Sequence, residues 1–286
     1  MKLSVIIACF NAADTLGAQL EALVQQQWSE PWEVIVADNG SHDNSVAIAE
    51  QYMGRIPNLR VVDASDFQGA AHARNVGAAL AQGEALAFCD ADDELASGWV
   101  AAMGEALADH RFVVGRIQHQ KLNPASLAKK QKPWKNGLIN SNLPPHLPHG
   151  ATCNLGVQRA LHISMGGFDE ALLRYEDIDY CWRLQLMGIQ PYYAEKAIVE
   201  YRLRKTSSSV YQRSKLSGRS SVLMYKKYRH LIDDQMIWLD GVKGWLRLFK
   251  QIYKLTKKKE RVHWFKDLGW RIGRFYGSVK YRVLLP

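Results

Sequence analysis

Four carboxylates fall within five positions, at Asp90, Asp92, Asp93 and Glu94, directly after the apolar run Ala85-Leu86-Ala87-Phe88-Cys89. Oxygen ligands at this density suit a hard divalent cation, Mg²⁺ or Mn²⁺. The apolar run reads as a short buried strand, so the acids sit where the chain leaves a sheet. Ligands of open α/β sheets bind at the carboxyl ends of strands. A metal-held diphosphate is the ligand class to look for there. A second acidic group, Glu176-Asp177-Ile178-Asp179, leads into Ile178, Cys181, Trp182 and Gln185, which share one helical stripe. Glu176 and Asp177 then occupy a first helical turn, where the dipole favours ionised carboxylates by roughly 0.3–1 kcal/mol. A carboxylate kept ionised and aimed at a cleft can take a proton from an attacking hydroxyl. From spacing alone the plainer reading, acids that merely open a helix, stands ahead. His146 and His149 lie in the irregular, Lys- and Pro-rich stretch 121–149, and are expected as solvent-exposed loop residues rather than ligands.

The elements that position these residues alternate. Leu3 to Ala8 is a nearly continuous apolar run rich in β-branched residues, as expected of a parallel strand buried on both faces. Leu16, Leu20, Leu23 and Val24 recur at helical spacing. Trp32 to Ala37 is a second strand, ending in the turn Asp38-Asn39-Gly40-Ser41, and a helix follows through Tyr52. Asn58 to Asp63 is a third strand. Ala70 to Ala81 is an Ala-rich helix carrying Arg74 and Asn75. Trp99 to Ala108 is helical, Phe112 to Gly115 a strand, and Tyr192-Tyr193 and Ala197 to Tyr201 are late strands. This alternation predicts an α/β fold, a mostly parallel sheet flanked by helices. No GxGxxG follows the first strand and no GxxxxGK[ST] is present, which argues against a dinucleotide-binding oxidoreductase and a P-loop enzyme.

The 286 residues carry a formal charge of +9, unevenly spread. Residues 1–201 hold 15 Lys and Arg against 23 Asp and Glu; residues 202–286 hold 22 against 5. In the basic region Trp245, Phe249, Ile252 and Tyr253 fall on one helical face, and Phe265, Leu268, Ile272 and Phe275 repeat the pattern. Basic amphipathic helices with Trp and Phe suit an anionic membrane interface; packing against a protein surface is the plainer alternative. No nucleic-acid recognition motif is present. The four Cys lack metal-ligand spacing and read as reduced, buried thiols. The start of the chain has no secretory pattern, and no stretch is apolar for long enough to span a bilayer.

Six segments together resemble the family 2 glycosyltransferases of the GT-A fold: Ser4-Val5-Ile6-Ile7-Ala8-Cys9-Phe10-Asn11, Asp38-Asn39-Gly40-Ser41-x-Asp43, Ala73-Arg74-Asn75-x-Gly77, Asp90-Ala91-Asp92-Asp93, Gly166-Gly167-Phe168-Asp169-Glu170 and Glu176-Asp177-x-Asp179. The resemblance covers about residues 1–210. It implies a Rossmann-like GT-A catalytic domain over 1–210; the charge and aromatic pattern make 211–286 a basic, Trp-rich helical tail that would associate with a membrane. The resemblance also implies an inverting hexosyltransferase that moves a sugar from a nucleoside-diphosphate donor, with uracil the favoured base, to a hydroxyl of a glycan or lipid-linked acceptor. Ala8, Asn11, Asp38, Asn39, Arg74, Asp90 and Ala91 would bind the nucleotide, and Asp92 and Asp93 would hold Mg²⁺ or Mn²⁺. Asp177 would be the general base, with Glu176 beside it.

Two departures from the family pattern stand out. Asn39 replaces a frequent Asp. Tyr201-Arg202-Leu203-Arg204 replaces a Tyr-Arg-x-His, so that Arg204 would face the diphosphate and lessen the dependence on metal. The expected setting is cytoplasmic, peripheral on the inner face of the cell membrane, in polysaccharide or cell-envelope glycan synthesis, with self-association open. A nucleotidyltransferase is a competing reading that leaves Glu176-Asp177 without a role. An inactive membrane-associated scaffold is another, and the presence of Asp90, Asp92 and Asp177 speaks against it.

Overall fold

The computed structural model describes residues 1–131, 134–141, 145–203, 207–231, 234–283 and 285. In chain order the elements are β1 (Leu3–Cys9), α1 (Leu16–Val24), β2 (Trp32–Asp38), α2 (Ser45–Glu50), β3 (Leu59–Asp63), α3 (Ala70–Leu80), β4 (Ala85–Asp90), β5 (Glu94–Leu95), α4 (Trp99–Asp109), β6 (Phe112–Gln118) and α5 (Ala125–Ala128). Next come β7 (Leu155–Gln158), α6 (Arg159–Ser164), α7 (Glu176–Leu186), β8 (Tyr192–Glu200), α8 (Ser207–Tyr228), α9 (Asp234–Lys250) and α10 (Lys258–Tyr281). The chain divides into two compact units. The first comprises Met1–Asn140, Pro148–Glu170 and Asp177–Leu203; the second comprises Ser141–Leu147, Ala171–Glu176 and the described residues beyond Leu203.

The first unit is built on an eight-stranded sheet in the order β3-β2-β1-β4-β7-β6-β8-β5. The expected parallel block is β3-β2-β1-β4. Beyond β4 the sheet is mixed: β7 runs antiparallel to both β4 and β6, β6 and β8 are parallel, and β5 pairs antiparallel with β8. The two late strands are one, β8, which pairs with β6 across a bulge at Gly115/Arg116.

Apolar side chains cover both faces of β1. Leu3, Val5, Ile7 and Cys9 pack with Leu16, Leu20 and Leu23 of α1 and with Trp99, Val100 and Met103 of α4. On the other face Ile6, Ile35, Leu86 and Phe88 pack with Ala71 and Ala78 of α3 and with Tyr180, Cys181 and Leu184 of α7. Each large side chain fully buried this way contributes roughly 1.5–3 kcal/mol. Helix α3 lies so close that a Cβ on Gly77 would stand 2.7 Å from Ile6 Cγ2. Arg74, one turn earlier on the same helix, is buried.

One of the two loop histidines departs from expectation. His149 is buried, not exposed: its backbone pairs with Ile139 in both directions, and burial pushes its imidazole down to about 4. His146 is exposed as expected, at a left-handed φ of 63°.

In the second unit α8 and α10 pack together along their length, and Ser214 Oγ donates to Lys266 O at 2.7 Å. The Tyr175 ring meets Trp270 with centroids 6.5 Å apart, and Arg174 N donates to Ser220 Oγ. The apolar face expected to run through Trp245, Phe249, Ile252 and Tyr253 is interrupted. Helix α9 ends at Lys250, and Ile252 and Tyr253 fall in a separate 3₁₀ turn. Phe249, Ile252, Tyr253, Phe275, Tyr276 and Val279 are all more than half exposed.

Candidate active site

The pairing register brings the chemistry to one edge of the first unit. Cys9 is level with Asp38, and Ala8 is level with Asp90, so both acids flank the carboxyl end of β1. Asp38 Oδ2 accepts from the backbone N–H groups of Gly40 and Ser41 at 3.2 and 3.0 Å, which folds the turn after β2 back on itself. Asp38 Oδ1 is buried and has no hydrogen-bond donor among the described residues. A buried acceptor of this kind calls for an N–H from a ligand or a water.

Asn39 is 6% exposed, and its amide is committed. Its Nδ2 donates to Ala64 O at 2.5 Å and Phe67 O at 2.8 Å, while its Oδ1 accepts from Gly69 N at 2.7 Å. Asn39 thus pins the β3–α3 connection, including the residue that precedes α3. Asn11 is exposed at φ 48°, and its Oδ1 accepts from His42 N; its own N–H donates to Ser41 Oγ. Asp43 Oδ2 accepts from Ala13 N, and Ser45 Oγ accepts from Ala12 N, so the loops after β1 and β2 are laced together.

Arg74, 3% exposed, donates from its Nη2 to Asp90 Oδ1 at 2.7 Å. One oxygen of Asp90 therefore balances the guanidinium. Ala8 is partly buried and Ala91 buried at the same edge. The acidic turn itself is clamped by Gln19 of α1, which is fully buried. Its Nε2 donates to Asp90 O and its Oε1 accepts from Leu95 N, both at 3.0 Å. From the far side Arg202 N donates to Asp93 Oδ1 at 2.7 Å and Arg202 Nε donates to Asp92 O at 2.9 Å. The two consecutive acids differ: Asp93 is 1% exposed, while Asp92 is half-buried.

Ligand-capable atoms of Asp90, Asp93 and Cys153 lie within 4.8 Å of one another; Asp92 is outside this group. A hard divalent cation fits the carboxylate oxygens. It does not fit the thiol: burial, and then the charges of Asp93 and Asp90, push Cys153 well above its ordinary range, so the sulfur keeps its proton. Asp177, which begins the first unit's part of α7, also acts on Cys153, and Arg74 opposes it. Asp90 and Asp93 thus lie beside Cys153, and Arg74 is paired to Asp90. Asp177 Oδ1 accepts from Ile178 N at 2.8 Å. Tyr175, two residues earlier, sits at φ 71°, a costly conformation for a bulky residue, and one that recurs where geometry is forced at functional sites. Glu176, the half-buried first residue of α7, belongs to the second unit. Arg204 lies outside the described residues.

Gln19 and Asn154 carry no motif signal. Asn154 accepts from Trp99 Nε1 and donates to Arg116 O and Ala197 O, tying the turn before β7 to α4, β6 and β8 next to Cys153. His72 is held between Asp66 and Glu170 at 2.6 and 2.9 Å, and Asn75 exchanges hydrogen bonds with the Phe168 backbone and donates to Glu170 Oε1. The Gly166–Glu170 segment is therefore fastened to α3 within two residues of Arg74.

Comparison with known proteins agrees with this geometry. The model of the glycosyl transferase family 2 matches residues 4–166. The chain is 44% identical over 94 residues to the uncharacterized glycosyltransferase YibD of Escherichia coli K12, a stretch covering 33% of this chain and 27% of that protein. It is 27% identical over 200 residues to the glycosyltransferase AglE of Haloferax volcanii, covering 68% and 65% respectively. The matched region thus spans less than two thirds of either relative's length. In fold it resembles the mannosyltransferase PcManGT of Pyrobaculum calidifontis, solved with GDP-Man and Mn²⁺. The TM-score is 0.63 at 15% identity, over 98% of this chain and 87% of that one. With motif order, sheet topology and the clustered acids in agreement with that match, the chain belongs to glycosyl transferase family 2.

Proposed function

We propose that the chain is an inverting glycosyltransferase that uses a nucleoside-diphosphate sugar, with uracil the favoured base. The observation that carries this reading is the grouping of Asp90 and Asp93 beside Cys153, with Arg74 paired to Asp90, at the carboxyl edge of the sheet. Asp38 Oδ1, buried and without a donor among the described residues, is suited to accept a nucleobase N–H. PcManGT is described with GDP-Man and Mn²⁺, which supports a sugar nucleotide and a divalent cation as ligands here too. Asp92 and Asp93, with the second oxygen of Asp90, are the residues that would hold Mg²⁺ or Mn²⁺. Such an ion, when bound, neutralises diphosphate charge.

The remaining work falls to the chain's own groups. Asp177 Oδ2 takes the proton of the acceptor hydroxyl. The oxygen then forms its bond to the anomeric carbon as the bond to the diphosphate breaks on the opposite face, and the electron pair leaves with the nucleoside diphosphate. Arg74 keeps Asp90 oriented, and Gln19 keeps the acidic turn closed, so the donor meets a preformed site.

The acceptor we propose is a glycan or lipid-linked glycan of the cell envelope, met at the inner membrane face. The exposed Phe249, Ile252, Tyr253, Phe275 and Val279 among Lys and Arg support an interfacial tail. No described helix is long and apolar enough to cross a membrane. The test is donor turnover by the purified chain with UDP-Glc, UDP-GlcNAc and GDP-Man. At least one donor should be cleaved, and Asp177→Asn should lower the rate by roughly 10²–10⁴-fold. Turnover that survives Asp177→Asn would remove the assigned base.

A further inference from the structure

The second unit contains a feature that the transferase reading does not use. Helices α8 and α10 approach through glycine. A Cβ on Gly273 would stand 1.9 Å from Lys215 O, and one on Gly218 would stand 2.0 Å from Trp270 O. Beside this close contact the two helices leave a cavity of about 390 Å³ lined by Gln212, Lys215, Leu216, Arg219, Gly273, Tyr276 and Lys280. Five of these side chains carry hydrogen-bond donors, three of them cationic, and among the described residues no carboxylate lines the space. Among the described residues neither Lys215, Arg219 nor Lys280 forms an ion pair with an acid. Lys215 Nζ instead lies 4.7 Å from the centre of the Tyr276 ring. Three like charges gathered around a concavity repel one another, and a multivalent anion with several acceptor oxygens relieves that repulsion.

We propose that this cavity is a binding site for a phosphate group, distinct from the donor site and independent of whether the chain transfers sugar. Arg219 and Lys215, half-buried on α8, hold the phosphate oxygens; Lys280 on α10 closes over them; the Gln212 amide and the Tyr276 hydroxyl supply neutral donors. Phe275 and Val279, at 62% and 66% exposure on α10, lie next in sequence to Tyr276 and Lys280. Exposed apolar side chains on the same helix suit a lipid phosphate whose acyl chains stay in a membrane surface. A soluble phosphate compound shares the same headgroup chemistry.

The experiment measures binding of the full chain to phosphatidylcholine vesicles with and without 20 mol% phosphatidic acid, and to inorganic pyrophosphate, at about physiological salt. Arg219→Gln and Lys280→Gln are compared with Lys250→Gln, which removes the same charge from α9, away from the cavity. Circular dichroism confirms that each variant keeps its helices; Lys280 is exposed, so its variant tests the cavity even if Arg219→Gln loosens the fold.

The expected result is a loss of about tenfold in affinity for each cavity variant and about fivefold or less for Lys250→Gln, the size of one diffuse surface charge. Loss on vesicles alone assigns the site to a lipid headgroup; loss with pyrophosphate as well assigns it to phosphate from either source. Equal losses in all three variants would mean a diffuse basic surface and overturn the proposal, as would absence of binding to both probes by the unaltered chain.

Discussion

Replacing Asn39 with Asp tests how the nucleotide edge is built. Asn39 Nδ2 donates to two backbone carbonyls, Ala64 O and Phe67 O, at 2.5 and 2.8 Å in a site 6% exposed. Asp at 39 would turn both contacts into carboxylate–carbonyl oppositions, leaving only the bond from Gly69 N intact. Each buried group deprived of its partner costs about 1–3 kcal/mol, so Asn39→Asp loses roughly 3–5 kcal/mol at neutral pH. That is a large part of a typical folding free energy of about 5–15 kcal/mol.

The sign of the pH dependence follows. The new carboxyl is raised above its unfolded value of about 3.9, because protonation restores one donor. The penalty is complete above the folded pKa and shrinks as pH falls through it. Urea unfolding of the unaltered chain, Asn39→Asp and Asn39→Ala at pH 8 and pH 5 is the assay. Asn39→Ala should lose a similar amount at both pH values, and Asn39→Asp should regain stability at pH 5. If Asn39→Asp is as stable as the unaltered chain at pH 8, Asn39 does not hold the β3–α3 connection, and its amide is free to face the base.

Three further outcomes are expected. Gln19→Leu leaves Asp90 O and the buried Leu95 N without partners and should cost roughly 2–4 kcal/mol in urea unfolding; a cost under half of that would mean the acidic turn does not depend on its clamp. For His72 burial opposes the charge, but the hydrogen bonds its ring donates to Glu170 and Asp66, together with their negative charges, outweigh it and raise the imidazole above its usual 6.5. The stabilisation is therefore complete below about pH 6.5 and is lost as pH rises through the folded value; the stability–pH curve of His72→Gln should be flatter there, and parallel curves would refute the pairing. Gly273→Ala forces a methyl against Lys215 O, so the α8–α10 pair should lose hydrogen-exchange protection while β1 and β4 keep theirs; unchanged protection in α10 would show that the helices do not touch there.

The sheet edge was readable in advance because β1, β2 and β4 are buried on both faces and show continuous apolar runs, with the acids following at once. β5 and β7 were not: two and four residues long, they are strands only because β8 and β4 lie alongside. A Gln19 or an Asn154 looks like any buried amide until its distant partners are in place, 71 and 55 residues away. His149 was misplaced for the same reason, since the pairing with Ile139 that buries it comes from loop geometry, not pattern. For Asp92 and Asp93 the acidic cluster was evident but not its division of labour. That division depends on Arg202, which takes the second acid into the interior.

The fate of the anomeric carbon tests the proposed single displacement most directly. Proton NMR of the product formed by the purified chain from a turned-over α-linked sugar nucleotide should show a β-linked sugar, with Asp177→Asn giving little product. An α-linked product, or an Asp177→Asn variant as fast as the unaltered chain, would contradict a single displacement driven by Asp177.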